Sequence, residues 1–132
     1  MIETNKIDFV IINGENAAAE LCFHEGTKAH ARGRPDDAVK QFNYAIGLDP
    51  TQPHYYHHLA HSLQEMDRLD ESVVAYEAML DLDGSNYDGW YDMGYIQQQL
   101  GKSGDAADSF TRALELNPQD KDALIFLGMC FM

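Results

Sequence analysis

Four histidines stand at positions 54, 57, 58 and 61 of this 132-residue chain. Spacings of i, i+3, i+4 and i+7 put all four on one face of a helix. Imidazoles one turn apart can chelate a divalent metal, change charge near neutral pH, or give a peptide flat amphipathic contact. Thirty-four residues on, the same offsets hold Asp88, Tyr91, Asp92 and Tyr95. Carboxylates there could complete a metal site or select a cationic ligand. Thirty-four residues back they hold Glu20, Phe23, His24 and Thr27, with His30 a little further along. One interval beyond the acids come Asp122, Ile125, Phe126 and Met129. All six histidines thus fall on or beside one expected surface.

The interval of 34 also organises the elements that must carry this surface. Gly26, Ala60, Gly94 and Gly128 keep it, as do Phe42, Tyr76 and Phe110, then Ala45, Met79 and Ala113, then Pro50, Gly84 and Pro118. Small, aromatic and turn-forming residues in constant phase mark a helical repeat array. Helical periodicity runs over about 17–32, 35–48, 53–66, 69–82, 87–100, 103–116 and 121 to the end. Gly33 and Gly101 supply left-handed helix ends, and Pro35 and Pro53 suit a first helical turn. Asn86, Ser103 and Asp120 are expected N-caps. The small residues Gly26, Ala60 and Gly94 are expected to face Ala38, Ser72 and Ala106. Met79 looks like a tolerable misfit at a small-residue position, since a thioether is flexible.

Trp90-Tyr91-Asp92-Met93-Gly94, followed by Ala106, Phe110, Ala113 and Pro118, resembles the tetratricopeptide repeat signature in near-complete form. Cys22, Gly26, Ala38, Phe42, Ala45 and Pro50 make a second copy, and Tyr56, Leu59, Ala60, Ser72, Tyr76 and Met79 a looser third. Leu124, Leu127 and Gly128 begin a fourth. The resemblance implies an all-α, right-handed superhelical array of antiparallel helix pairs. It divides the chain into an N-terminal arm or cap (1–16) and a repeat domain (17–132). The repeats are expected at about 19–52, 53–86 and 87–120, with a half repeat over 121–132. It also implies that the first helices line a concave groove for a partner's peptide or helix. The best-understood groove chemistry of the family clamps the C-terminal carboxylate of a heat-shock chaperone with Lys, Asn and Arg. Those places read Phe23, Thr27, His58, Asp88 and Asp92 here, and two acids in place of cations argue against that ligand.

Composition excludes other classes. A net charge of −13 with His neutral repels nucleic acid and anionic membrane surfaces. A basic or polar-aromatic protein segment is the partner such a face accommodates. No stretch approaches the roughly 20 apolar residues of a membrane span, and the N-terminus lacks the pattern of a signal peptide. Cys22 and Cys130 lie in the first and last helices, too far apart to bridge, and are expected as buried free thiols, which points to the cytoplasm. Ser62, Ser72, Ser85, Ser103 and Ser109 lack a nucleophile elbow, and no glycine-rich loop precedes a lysine, so no enzyme is expected.

The expected function is a protein-interaction module or adaptor. Its groove is assigned to Glu20, Phe23, His24, Thr27, His54, His57, His58, His61, Asp88, Tyr91, Asp92, Tyr95, Asp122 and Phe126. No cofactor is called for, and the distant cysteines and the lack of a compact motif leave no metal ligands assigned. The alternatives are a dedicated secretion-type chaperone for one client, a metal-binding histidine column, or a pH-responsive scaffold. Protonating all six histidines would move the formal charge of −13 six units toward neutrality. The apolar run Ile7–Ile12 and the apolar stretch Ile125–Met132 are candidate surfaces for homodimer formation.

Overall fold

The structure, a computed structural model, describes the backbone of residues 2–132 and side chains from Ala17 onward. Seven helices follow one another among the described residues: α1 (Ile2–Ala31), α2 (Pro35–Leu48), α3 (Pro53–Glu65), α4 (Leu69–Leu82), α5 (Tyr87–Gln99), α6 (Ser103–Leu116) and α7 (Lys121–Met129). Each packs chiefly on its neighbours in sequence, with a lighter contact between α1 and α3. The result is an all-α repeat solenoid of three helix pairs, with α7 as the first helix of a fourth. α1 already includes the backbone of the Ile7–Ile12 run. The side chains of the expected arm or cap lie outside the described residues.

The turn inside each pair is set by backbone geometry. Gly33 and Gly101 adopt φ of 74° and 78°, and the equivalent Asp67 in the middle repeat adopts 58°. An L-residue in this left-handed region crowds its Cβ against the following carbonyl, a cost Asp reduces and glycine escapes. Replacing Asp67 with Gly should therefore stabilise the protein by about 0.5–1 kcal/mol. Urea titration measures this, and a fall in the midpoint would contradict it. The next residue closes the turn in all three repeats. The N–H groups of Arg34, Arg68 and Lys102 donate to the carbonyls of Ala29, Leu63 and Gln97, each at 2.9 Å.

That closure explains a correction. Ser103 is not an N-cap: it is the first residue of α6, and Lys102 occupies the cap without a side-chain bond. Leu100, Gly101 and Lys102 make the whole reversal, so the cap position falls on Lys102, whose ammonium cannot accept from the first N–H groups of α6. The turns between repeats are roomier, and there the expected caps form. Asn86 accepts from the Gly89 N–H at 2.9 Å, and Asp120 accepts from those of Asp122 and Ala123. The first helices are also tied back to the preceding loop. Tyr56 Oη donates to the Pro50 carbonyl at 3.0 Å, and one repeat later Trp90 Nε1 donates to that of Gly84 at 2.9 Å.

Phe42, Tyr76 and Phe110 are fully buried and form the spine of the core. The small residues of the first helices serve these rings more directly than they serve Ala38 and Ala106. A Cβ placed on Gly26 would stand 2.5 Å from the Phe42 ring, and one on Gly94 would stand 3.0 Å from Phe110. In the middle pair the expected facing holds, with the Ser72 hydroxyl donating to the Ala60 carbonyl at 2.8 Å. Met79 also departs from expectation. It is fully buried, and its terminal methyl fills the space that a side chain at Gly89 would need. It fits a complementary hollow on the next helix.

Candidate functional site

Side chains of α1, α3, α5 and α7 meet along the face expected to line the groove, and their contacts do not run straight along the 34-residue column. Phe23 on α1 meets His54 and His58 on α3, edge-on to both at ring-centroid distances of 4.9 Å. Asp92 on α5 places Oδ2 at 3.7 Å from His57 Nε2 and 3.5 Å from His61 Nε2. Phe126 on α7 meets Tyr91 and Tyr95 at 6.0 and 5.8 Å. In every case one side chain enters the notch between residues i and i+4 of its neighbour. Two equivalent side chains cannot share one place, so packed helices interdigitate. Adding one repeat to a residue number therefore pairs Asp92 with His58, whereas packing gives it to His57 and His61.

Two hollows open on this face. One of ≈ 250 Å³ is lined by His30, His57, His58 and His61. The other, ≈ 550 Å³, is lined by His61, Gln64, Glu65, Tyr91, Asp92 and Tyr95. His61 borders both and makes them one continuous surface. Gln64 and Glu65 were missed in the sequence, although they continue the histidine stripe by one more turn of α3. Glu65 Oε1 holds His30 Nε2 at 2.9 Å, which ties the end of α1 to the end of α3. A further hollow of ≈ 290 Å³ among α2, α3 and α4 has a largely apolar lining that includes Val39, Ile46, Leu59, Leu63 and Val74. It contains none of the expected groove residues.

Electrostatics concentrate at the centre. Burial raises the Asp92 carboxyl, but His57 and His61, through hydrogen-bonding contact and charge, hold it below the usual carboxylate value. Asp92 in turn raises the His61 imidazole above its ordinary value, against the effect of burial. His58 shifts the other way, because burial and then the neighbouring histidines disfavour its charged form. His57 and His61 approach each other to 3.1 Å between Nε2 atoms. Beneath them lies the fully buried Tyr76, whose hydroxyl has no hydrogen-bond partner.

The remaining expected groove residues are distributed unevenly. Glu20 accepts from the Tyr55 hydroxyl at 2.6 Å and lies 3.8 Å from His54 Nε2. Thr27 turns its hydroxyl back onto its own helix, donating to the His24 carbonyl at 2.8 Å, so it offers little to a ligand. His24, Asp88 and Asp122 are exposed. Of these, His24 has ring contact with Phe23 alone, at 6.0 Å. Phe126 stacks on Phe110 at 5.6 Å and anchors the far end of the face in the core. Beyond it Ile125 and Met129 are exposed. Cys22 and Cys130 are free but half-buried, where full burial was expected. Cys22 packs on the cluster of Ala19, Ala45 and Tyr55, and burial raises the Cys130 thiol. Among the described residues no helix is long and apolar enough to cross a membrane.

Comparison with known proteins agrees with this architecture. Family models described as tetratricopeptide repeat match residues 53–86 and 87–120. Anaphase-promoting complex subunit 3 of Schizosaccharomyces pombe is 28% identical over 94 residues, which cover 71% of this chain and 14% of that protein. The chain thus spans about a seventh of that relative's length. Among solved structures, the first TPR of Spaghetti (RPAP3) bound to an HSP90 peptide, SRMEEVD, superposes with a TM-score of 0.80 at 20% identity. That match covers 88% of this chain and 92% of the other. The type III secretion chaperone SycD of Yersinia enterocolitica, in complex with a peptide of the translocator YopD, gives 0.77 at 18% identity, covering 85% and 91%. With two adjoining repeats matched and the helix pairs stacked in the same way, the chain belongs to the tetratricopeptide repeat family.

Proposed function

We propose that this protein is a protein–protein interaction module whose inner face holds an extended or helical segment carrying basic or polar-aromatic side chains. The observation that carries this reading is the joined surface around His61. Tyr91 and Tyr95 wall one side of the larger hollow, while Asp92 and Glu65 supply negative charge within it. Tyrosines give large rigid contact area at low entropic cost. The carboxylates favour a cation, and a charge of −13 steers basic partners toward the surface. Both solved structures described above hold peptides, so the shared fold is compatible with a peptide in this place. Asp88 and Asp92 oppose a free C-terminal carboxylate, so the ligand proposed here differs in charge from the acidic peptide SRMEEVD. The exposed apolar side of α7, with Leu124, Ile125 and Met129, is where a further helix or a second copy would stack.

Fluorescence anisotropy tests the charge and the residues together, using one labelled peptide rich in Arg and Tyr and another ending in acids. The basic peptide should bind, and Tyr91→Ala/Tyr95→Ala should weaken it at least tenfold, about 1.4 kcal/mol or more. The acidic peptide should not bind. Because Tyr91 also packs edge-on against Phe110 at 5.9 Å, thermal melting of the variant separates lost contact from lost fold. Equal affinity for both peptides, or a folded variant that binds as tightly as wild type, would overturn the reading.

A further inference from the structure

We propose that His57, His61 and Asp92 form a zinc-type metal site with one coordination position open toward the inner face. The three donor atoms come from two helices of adjacent repeats. His57 and His61 are one turn apart on α3, and their Nε2 atoms are 3.1 Å from each other. Asp92 Oδ2, from α5, lies 3.7 and 3.5 Å from them. The circle through three points at those separations has a radius of about 2.0 Å, so one position is equidistant from all three donors at about the Zn–N and Zn–O bond length of 2.0–2.2 Å. Ligand edges of a tetrahedral zinc site are about 3.3–3.4 Å for such bonds, and the three observed edges lie around that value. Two imidazoles and one carboxylate are a donor set that zinc accepts.

The surroundings support the same assignment. Tyr76 lies under the cluster, with its ring 5.9 Å from that of His57 and 6.1 Å from that of His61. Its hydroxyl is buried with no hydrogen bond of good geometry, and the carboxylate that acts on it, by charge and by hydrogen-bonding proximity, is that of Asp92. A buried donor beside a ligating carboxylate is the kind of outer support that orients metal ligands. On the other side, the hollow lined by His30 and His58 leaves room for water or an incoming side chain in the fourth position. The second i, i+4 histidine pair lacks these features. His54 and His58 both pack edge-on to Phe23, and the carboxylate at His54 is Glu20 at 3.8 Å. His54 therefore serves as a built-in control.

An ion here would bridge α3 to α5 and lock the second repeat to the third. The inference does not rest on peptide binding, and its test contains no peptide. Isothermal titration of the full chain with zinc alone should show one equivalent bound at micromolar or lower concentration. Circular dichroism confirms that each variant remains helical. His61→Asn and Asp92→Asn should each weaken uptake at least tenfold, and His54→Asn should leave it unchanged. Cobalt in place of zinc should give the intense visible absorption of four-coordinate geometry, lost in His61→Asn. Zinc should also raise the melting temperature of wild type but not of Asp92→Asn. No uptake at micromolar zinc by the folded wild type overturns the site. So does unchanged affinity in His61→Asn, or loss of binding in His54→Asn instead.

Discussion

Phe42→Ala should lower the unfolding free energy by about 3–5 kcal/mol, the usual cost of emptying a buried aromatic position. Phe42 has no exposed surface, and residues of both α1 and α3 converge on it. Gly26 of α1 comes so close that no side chain fits between them. The rings of Phe23 on α1 and His58 on α3 are 5.7 and 5.8 Å away. A vacancy cannot collapse easily, because the glycine has no side chain to move inward. On a domain of this size the melting point should fall by roughly 10 °C or more. The effect should also reach the inner face, since Phe23 is the support on which His54 and His58 rest. Tyr44→Ala on the outer side of the same helix is the comparison: its side chain is 63% exposed and the change should stay within about 0.5 kcal/mol. Chemical denaturation of both variants decides the matter. A loss for Phe42→Ala below about 1 kcal/mol would mean that the ring is not the anchor of the first pair.

The second large effect belongs to the contact between α4 and α5. Met79→Ala should cost about 2–5 kcal/mol, since Met79 is fully buried. Its methyl end fills the position a Cβ on Gly89 would take, and Leu80 Cδ2 is 3.0 Å from the same point. Gly89→Ala alone should thus gain little or lose stability, although alanine favours a helix over glycine by about 1 kcal/mol. In the Met79→Ala background that obstruction is gone, and the added methyl enters the vacated space. There Gly89→Ala should stabilise by about 1–2 kcal/mol, reversing or strongly improving on its effect in wild type. A double-mutant cycle in urea measures the coupling, and simple additivity would refute direct complementarity. The equivalent positions hold Ala45 with Tyr55 in the first interface and Ala113 with Ala123 in the third. The volume at this contact is therefore distributed differently at each step of the stack.

These pairs show why some features were legible in the chain and others were not. Pro35 and Pro53 start helices, and Gly33 and Gly101 end them, through their own backbone geometry. Such signals need no knowledge of what lies across the interface. Ser103 misled because cap preference is also local, while the reversal before it is tightened by a bond from Lys102 to Gln97. Met79 looked like a misfit because the small residue that accommodates it, Gly89, belongs to a different part of the period. Glu65 was overlooked because its partner is His30 at the far end of another helix.

The inner face divides in the same way. Amino-acid order alone determined the helical class, the interval of 34, the acidic balance and the gathering of histidines, tyrosines and acids on the first helices. Each follows from periodicity or composition, and those are properties of the chain before it folds. Tertiary structure decided which histidines share Asp92, which ring supports His54 and His58, and which hydroxyl is left unpartnered beneath them. Helices packed side by side interlock with an offset, and the 34-residue period carries no information about it. Only once α3 and α5 were docked did Asp92 enter the notch between His57 and His61 instead of facing His58.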